Sequence, residues 1–126
     1  MGAVPIGGIG SNVAGNATGT GGYSNLTNSP TVGPGKNFTQ TQKAKIYQQN
    51  MDSNGGVLRS DLDGQELVMP QKSQAGVTPP SNEAQIDHIV PRKPADPSIT
   101  PGTNSYSNAQ VLSREQNRKK SNKLGD

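Results

Sequence analysis

The chain has 126 residues, of which only 28% are hydrophobic, and it contains one Phe, three Tyr and no Trp. One small domain is the upper limit for that apolar content, and a core running through the whole length is excluded. The absence of Cys removes disulfide scaffolds and thiolate zinc sites, and a net charge of +3 favours an anionic partner.

The first charged side chain is Lys36, and residues 1–35 hold ten of the sixteen glycines. Val4, Ile6, Ile9, Val13 and Leu26 follow neither the strand nor the helix period, so no face can be buried. The expectation is a disordered, uncharged Gly-rich segment over 1–35, a flexible tether or a threading segment, preceding a folded domain over 36–126. No positively charged start followed by an apolar stretch opens the chain, so a secretory leader is not expected. No apolar run approaches the ~20 residues that span a bilayer, so no membrane anchor is expected.

Beyond Lys36 the signals become regular. Thr39 and Gln42 form a capping box, predicting a helix over about 40–52 with Ala44, Ile46, Tyr47 and Met51 as a partial apolar stripe. Gly55 and Gly56 end it. Val57–Arg59 and Gln65–Val68 read as two short strands of a hairpin turned by Asp61-Leu62-Asp63-Gly64. Residues 69–82 carry Pro70, Gly76, Pro79 and Pro80 and read as a wrapping loop. Gln85–Val90 reads as a strand stopped by Pro91. A long loop with Pro94, Pro97, Pro101 and Gly102 leads to a second strand at Ala109–Leu112. Ser113 and Gln116 form another capping box, so a helix is predicted from 113 to about 121. Phe38, Tyr47, Leu58, Leu67, Val111 and Leu112 are the expected small core, with Tyr106 packed under the loop.

The single histidine stands beside an aspartate, Asp87-His88. Asn108 ends the long loop, and Asn117 lies one turn inside the last helix. Residues 112–126 carry five cations and two anions, so the chain's charge excess is concentrated here. Hydrolysis of a phosphodiester needs a base for water, and an imidazole of pKa about 6.5 serves at neutral pH. It also needs positive charge at the phosphorus and the leaving oxygen, which a hard divalent cation on oxygen ligands supplies. Asp87 offers a carboxylate and Asn117 an amide oxygen. Asn108 is placed to hold the loop. Strand alternation puts Asp87 and His88 on opposite faces unless a twist or bulge at the strand end brings both to one phosphate. Arg92, Lys93, Arg114, Arg118, Lys119 and Lys120 are candidate nucleic-acid contacts. Asp61 and Asp63 belong to a turn rather than a metal site, and Glu83 is a candidate further ligand.

Gln85-Ile86-Asp87-His88-Ile89-Val90-Pro91, with the later run from Asn104-Ser105-Tyr106-Ser107-Asn108 to Ser121-Asn122, resembles an HNH endonuclease motif. The resemblance implies a small α+β domain of the ββα-metal type, with the helix and hairpin of 40–68 added before it. In that family pattern His88 corresponds to the general base, Asp87 to the adjacent metal ligand and Asn108 to the residue that steadies the site. Asn117 stands where the last histidine usually does and would give the metal an oxygen. Mg²⁺ is the favoured cation, with Mn²⁺ and Zn²⁺ as alternatives.

The stretch 36–123, through Gly76-Val77-Thr78-Pro79-Pro80-Ser81-Asn82 and the Glu83–His88 run, also resembles C-terminal toxin domains of Rhs-type polymorphic bacterial effectors. That resemblance implies a nuclease exported by a delivery system. It would cut DNA in the target-cell cytoplasm and be held in check by a cognate immunity protein, with residues 1–35 as the join to a parent Rhs delivery protein. An RNase and a non-catalytic nucleic-acid-binding module are the alternatives.

Overall fold

The structure is a computed structural model that describes residues 21–124. Two helices and a two-stranded antiparallel sheet make a small α+β domain. Helix α1 spans Gln40–Ser53, strand β1 Ala84–His88, strand β2 Ala109–Ser113 and helix α2 Arg114–Lys120. A 3-10 turn, Tyr106–Asn108, leads into β2.

Both helices start where their capping boxes are. Thr39 Oγ1 accepts from Gln42 N at 3.1 Å while Gln42 Oε1 accepts from Thr39 N at 2.9 Å. Ser113 and Gln116 repeat the arrangement at α2, each at 3.0 Å. Two of the orphan donors of each first turn are thereby satisfied. After α1 the chain reverses through Gly55 and Gly56, at φ +67° and +92°, and Gly56 N donates to Met51 O. Ile46 and Tyr47 are buried on α1, whereas Ala44 is exposed and does not join the stripe.

The sheet is in register from Ala84 opposite Ser113 to His88 opposite Ala109, without a bulge. The expected hairpin over 57–68 forms only one antiparallel bridge, Arg59 with Glu66. Ser60 N donates to Gln65 O at 2.9 Å and Leu67 N to Leu58 O at 2.8 Å on either side of it, while the outward-facing Arg59 N and Asp61 N donate to Asn50 Oδ1 and Val111 O. Val68 instead makes a parallel bridge with Glu83, which brings the end of that turn to the start of β1.

The segment expected to be disordered reaches into the described residues, where Gly21 and Tyr23 are buried and most of 24–35 is exposed yet hydrogen-bonded to the domain. Tyr23 is 3% exposed and joins the core with Phe38, Ile46, Leu58, Leu67 and Val111. Gly21 N donates to Ser107 O, Asn28 Oδ1 accepts from Tyr106 N, and Gly33 N donates to Asn104 Oδ1. Lack of charge and of periodicity does not prevent packing, because the segment lays its backbone on the loop before β2 and anchors itself with one aromatic ring. The rest of that expectation, residues 1–20, lies outside the described residues. Tyr106, Ala109 and Ala84 complete the core, and Leu112 is also buried. No helix among the described residues is long and apolar enough to cross a membrane.

Candidate functional site

Alternation along β1 sends Gln85 and Asp87 toward α2. Asn117 Nδ2 donates to Gln85 Oε1 at 2.8 Å, and Lys120 Nζ lies 3.1 Å from Asp87 Oδ2. Asn117 and Lys120 are three residues apart and share one face of the helix, which explains why they meet alternate residues of the strand. Gln110, the register partner of Asp87 on β2, donates its Nε2 to the same Oδ2 at 2.9 Å. Burial pushes the Asp87 carboxyl above its ordinary value, opposed by Lys120, Gln110 and the His88 N–H.

His88 turns the other way, as a regular strand requires. Its Nε2 is 2.8 Å from the carbonyl oxygen of Lys36. A carbonyl only accepts, so Nε2 carries the proton and Nδ1 is the basic nitrogen of the neutral ring. Phe38 lies against the imidazole, with ring centroids 4.4 Å apart. Burial chiefly holds the imidazole below its usual pKa. The Lys36 carbonyl opposes that shift, and the charges of Arg92, Lys120 and Lys43 add to it. The ring is therefore neutral at physiological pH.

Asp87 and His88 line a common cleft of about 230 Å³ with Arg92, Lys93 and Ser121. Asn117 does not line it. With Gln85, Lys43, Lys72 and Glu83 it lines a larger groove of about 710 Å³. Asp87 and His88 thus share an opening, while Asn117 joins Asp87 only through the packed faces of β1 and α2. Asn108 is buried and ties both ends of the long loop. Its Oδ1 accepts from Val90 N at 2.8 Å, and its Nδ2 donates to the carbonyls of Val90 and Thr103 at 3.0 and 2.8 Å. Gly102 sits inside the same closure, where a Cβ would run into the Val90 carbonyl.

The six basic candidates separate by burial. Lys93, Arg118 and Lys119 are exposed, and Arg114 is half-buried. Arg92 is half-buried, and its Nε donates to Gly35 O at 3.1 Å. Lys120 is 3% exposed, so its side chain is not a surface contact for a phosphate backbone. Glu83 lies with Asn117 in the larger groove rather than beside Asp87. Asp61 and Asp63 stay in their turn. Asp61 accepts from Tyr23, Asn50 and Val111, and Asp63 accepts from Gln65 N.

Sequence reasoning misses Lys36, Phe38 and Lys43 around the imidazole, and Gln110 beside Asp87. Only Gln110 has a usable signal, since an antiparallel register fixes the residue opposite Asp87.

Among the described residues no three His, Asp or Glu side chains gather around one point that could hold a metal. The expected metal pair does not converge: Asp87 Oδ2 is taken by Lys120 and Gln110, and the Asn117 amide is held on Gln85 in the other groove. No protein-family model matches the chain, and neither curated proteins nor solved structures give a match.

Proposed function

We propose that this domain is a divalent-metal-dependent endonuclease of the HNH, ββα-metal type that hydrolyses DNA with little dependence on sequence. The observation that carries the reading is the His88 imidazole. It is fixed through Nε2–H on the Lys36 carbonyl, kept neutral by burial and nearby cations, and lines a cleft with Arg92, Lys93 and Asp87, whose carboxyl leaves the opposite face of β1. A neutral imidazole with one nitrogen anchored presents the other, Nδ1, as the base that takes a proton from the attacking water.

Asp87 would hold the cation, Mg²⁺ by preference with Mn²⁺ or Zn²⁺ as substitutes, while Asn117 keeps its amide on Gln85 in the larger groove. When bound it supplies positive charge for the phosphorus centre and the leaving oxygen. Asn108 acts through the loop it closes, which keeps the strand end carrying His88 against the turn before β2. Arg92 and Lys93 border the cleft and bind the scissile strand's phosphates, and Arg118 and Lys119 on α2 add contacts further along. Seven helical residues offer few side chains to base edges, which supports phosphate binding over sequence reading.

The biological setting follows the resemblance to Rhs-type effector domains. The domain acts as an antibacterial toxin carried by a parent delivery protein, works in the target-cell cytoplasm and is blocked by an immunity protein with an acidic face. The test is cleavage of duplex DNA, single-stranded DNA and RNA by the wild type and His88→Ala, across Mg²⁺, Mn²⁺ and Zn²⁺. Duplex DNA is cut by the wild type, and the variant loses about 10²–10⁴-fold in rate while keeping its affinity. Intact plasmid in the presence of folded, metal-supplied wild type refutes the reading, and cleavage of RNA alone reassigns it to an RNase.

A further inference from the structure

The larger groove has no substrate role in the reading above. It holds about 710 Å³, against about 230 Å³ for the cleft at His88. Ligand sites commonly run from about 300 to 1,000 Å³, so the cleft admits a phosphate group and the groove a whole nucleotide. The two openings follow one another along β1: Glu83–Ile86 line the groove, and Asp87 and His88 line the cleft. A strand cut at His88 must lay its neighbouring nucleotides on an adjoining surface, and along β1 that surface is the groove.

The lining of the groove has two chemistries. Lys43 of α1 and Lys72 of the loop after it bring two cations, neither in an ion pair among the described residues. The Lys43 charge also reaches the cleft, where it helps to keep the His88 imidazole neutral. The second feature is a hydrogen-bonded row. Asn117 Nδ2 donates to Gln85 Oε1 at 2.8 Å, and Gln85 Nε2 donates to Glu83 Oε1 at 3.3 Å. The row ends on a Glu83 that is 8% exposed, and its Oε2 accepts from no donor among the described residues. A buried carboxylate oxygen without a donor is unfavourable, and a ligand that brings one relieves it. Such a ligand carries negative charge for the lysines and an N–H for the carboxylate. Cytosine and adenine present an exocyclic amino group where thymine presents a carbonyl oxygen. An acidic peptide would suit the lysines but would bring like charge toward Glu83.

We propose that this groove is a nucleotide subsite beside the scissile phosphate, with Lys43 and Lys72 on the strand's phosphates and Glu83 accepting from the amino group of a cytosine or adenine. The inference rests on the nuclease reading and adds where the strand runs beyond the cleft. It gives a bias at one position only, so the overall dependence on sequence stays small.

The experiment is fluorescence anisotropy with labelled oligodeoxycytidylate and oligodeoxythymidylate of equal length, without added metal so that neither is cut. The wild type is compared with Glu83→Gln and with a double variant, Lys43→Gln with Lys72→Gln, each checked for folding by circular dichroism. The wild type binds the cytidylate about threefold or more tightly than the thymidylate. The double variant loses about tenfold on both, and its slope of log affinity against log salt shrinks by up to about 1.4, at about 0.7 for each phosphate of a single strand. Glu83→Gln loses the preference for cytidylate. Wild-type affinity and slope in the double variant overturn the subsite, and plasmid cleavage by that variant then leaves the nuclease reading standing. No binding of either oligonucleotide by the wild type, with plasmid intact in the presence of Mg²⁺, overturns both. Equal wild-type affinity for the two oligonucleotides overturns the base contact, and this comparison answers even if Glu83→Gln fails to fold. A poly-Glu peptide that binds the wild type and is lost in the double variant, with oligonucleotide binding unchanged, gives the groove to an acidic protein segment and overturns the proposal.

Discussion

Tyr23→Phe removes one oxygen from the centre of the domain, and its effect must depend on pH. Tyr23 Oη donates to Asp61 Oδ2 at 2.8 Å and accepts from Asn50 Nδ2 at 2.9 Å. Burial and the Asp61 charge push the phenol well above its ordinary pKa, so it remains a donor. Asp61 itself is pushed up from 3.8 to about 6, by burial, against hydrogen bonds from Val111 N, Tyr23 and Asn50. A raised folded-state pKa means that the folded protein holds the proton more tightly than the unfolded chain. Asp61 therefore contributes most stability below its unfolded pKa, and that contribution is lost as pH rises through about 6. At pH 8 the bond removed is one to a carboxylate and is worth about 1.5–3 kcal/mol; at pH 5 it is close to a neutral pair, worth about 1 kcal/mol. The same difference shows as a rise in the Asp61 pKa when the donor is lost, at about 1.4 kcal/mol for each unit. Urea unfolding of both proteins at pH 5 and pH 8 measures the loss. A loss of about 2 kcal/mol or more at pH 8, shrinking by half or more at pH 5, is expected. Equal losses at both pH values, or less than about 0.5 kcal/mol at pH 8, refute the assignment of Asp61 as a buried carboxylate held by the phenol.

A chain starting at residue 36, cut at the boundary the charges suggest, loses the Tyr23 ring and the backbone bonds of 21–35. Deleting a buried aromatic alone removes about 3–5 kcal/mol, so the melting temperature by circular dichroism falls by about 12 °C or more, if folding persists at all. Asn108→Ala strips three hydrogen bonds from the loop closure and leaves buried backbone groups unpaired. It destabilises by about 2–4 kcal/mol in urea and speeds amide exchange at Val90, just past β1, ahead of the strand itself. Replacing Lys93, Arg118 and Lys119 by Gln weakens duplex binding and lowers the slope of log affinity against log salt by up to about 0.9 for each phosphate no longer neutralised. An unchanged slope, read by fluorescence anisotropy, removes these residues from the interface.

The elements fixed by near neighbours are readable in the residues. Each capping box needs only positions three apart, so Thr39 and Ser113 mark their helix starts without tertiary help. Val57–Val68 reads as a hairpin because Asp61-Leu62-Asp63-Gly64 supplies a turn between two short apolar runs. What that reading misses is the outer side of the turn, where Arg59 N meets Asn50 and Asp61 N meets Val111, a residue 50 positions later. Residues 21–35 look unable to fold because charge and period measure solubility and face, while Tyr23 packs as one ring on partners from 38 to 111. In the site, Asp87-His88 is visible as an adjacent pair. Lys36 and Phe38, 52 and 50 positions earlier, are not. The run Arg118-Lys119-Lys120 conceals its inner member, although Lys120 stands three residues after Asn117, the spacing that puts both on one face.

Asp61 draws its partners from Tyr23, Asn50 and Val111, so its cluster joins the beginning, middle and end of the domain. During synthesis the first two partners emerge long before the third exists. The carboxylate has no backbone N–H to settle on until β2 has been made, and the N-terminal part cannot close its core ahead of the rest. Such wiring makes the last-translated third the step that locks the whole. A ribosome still holding that third carries a chain with no assembled cleft, and truncation before Val111 leaves nothing that can reach the folded state.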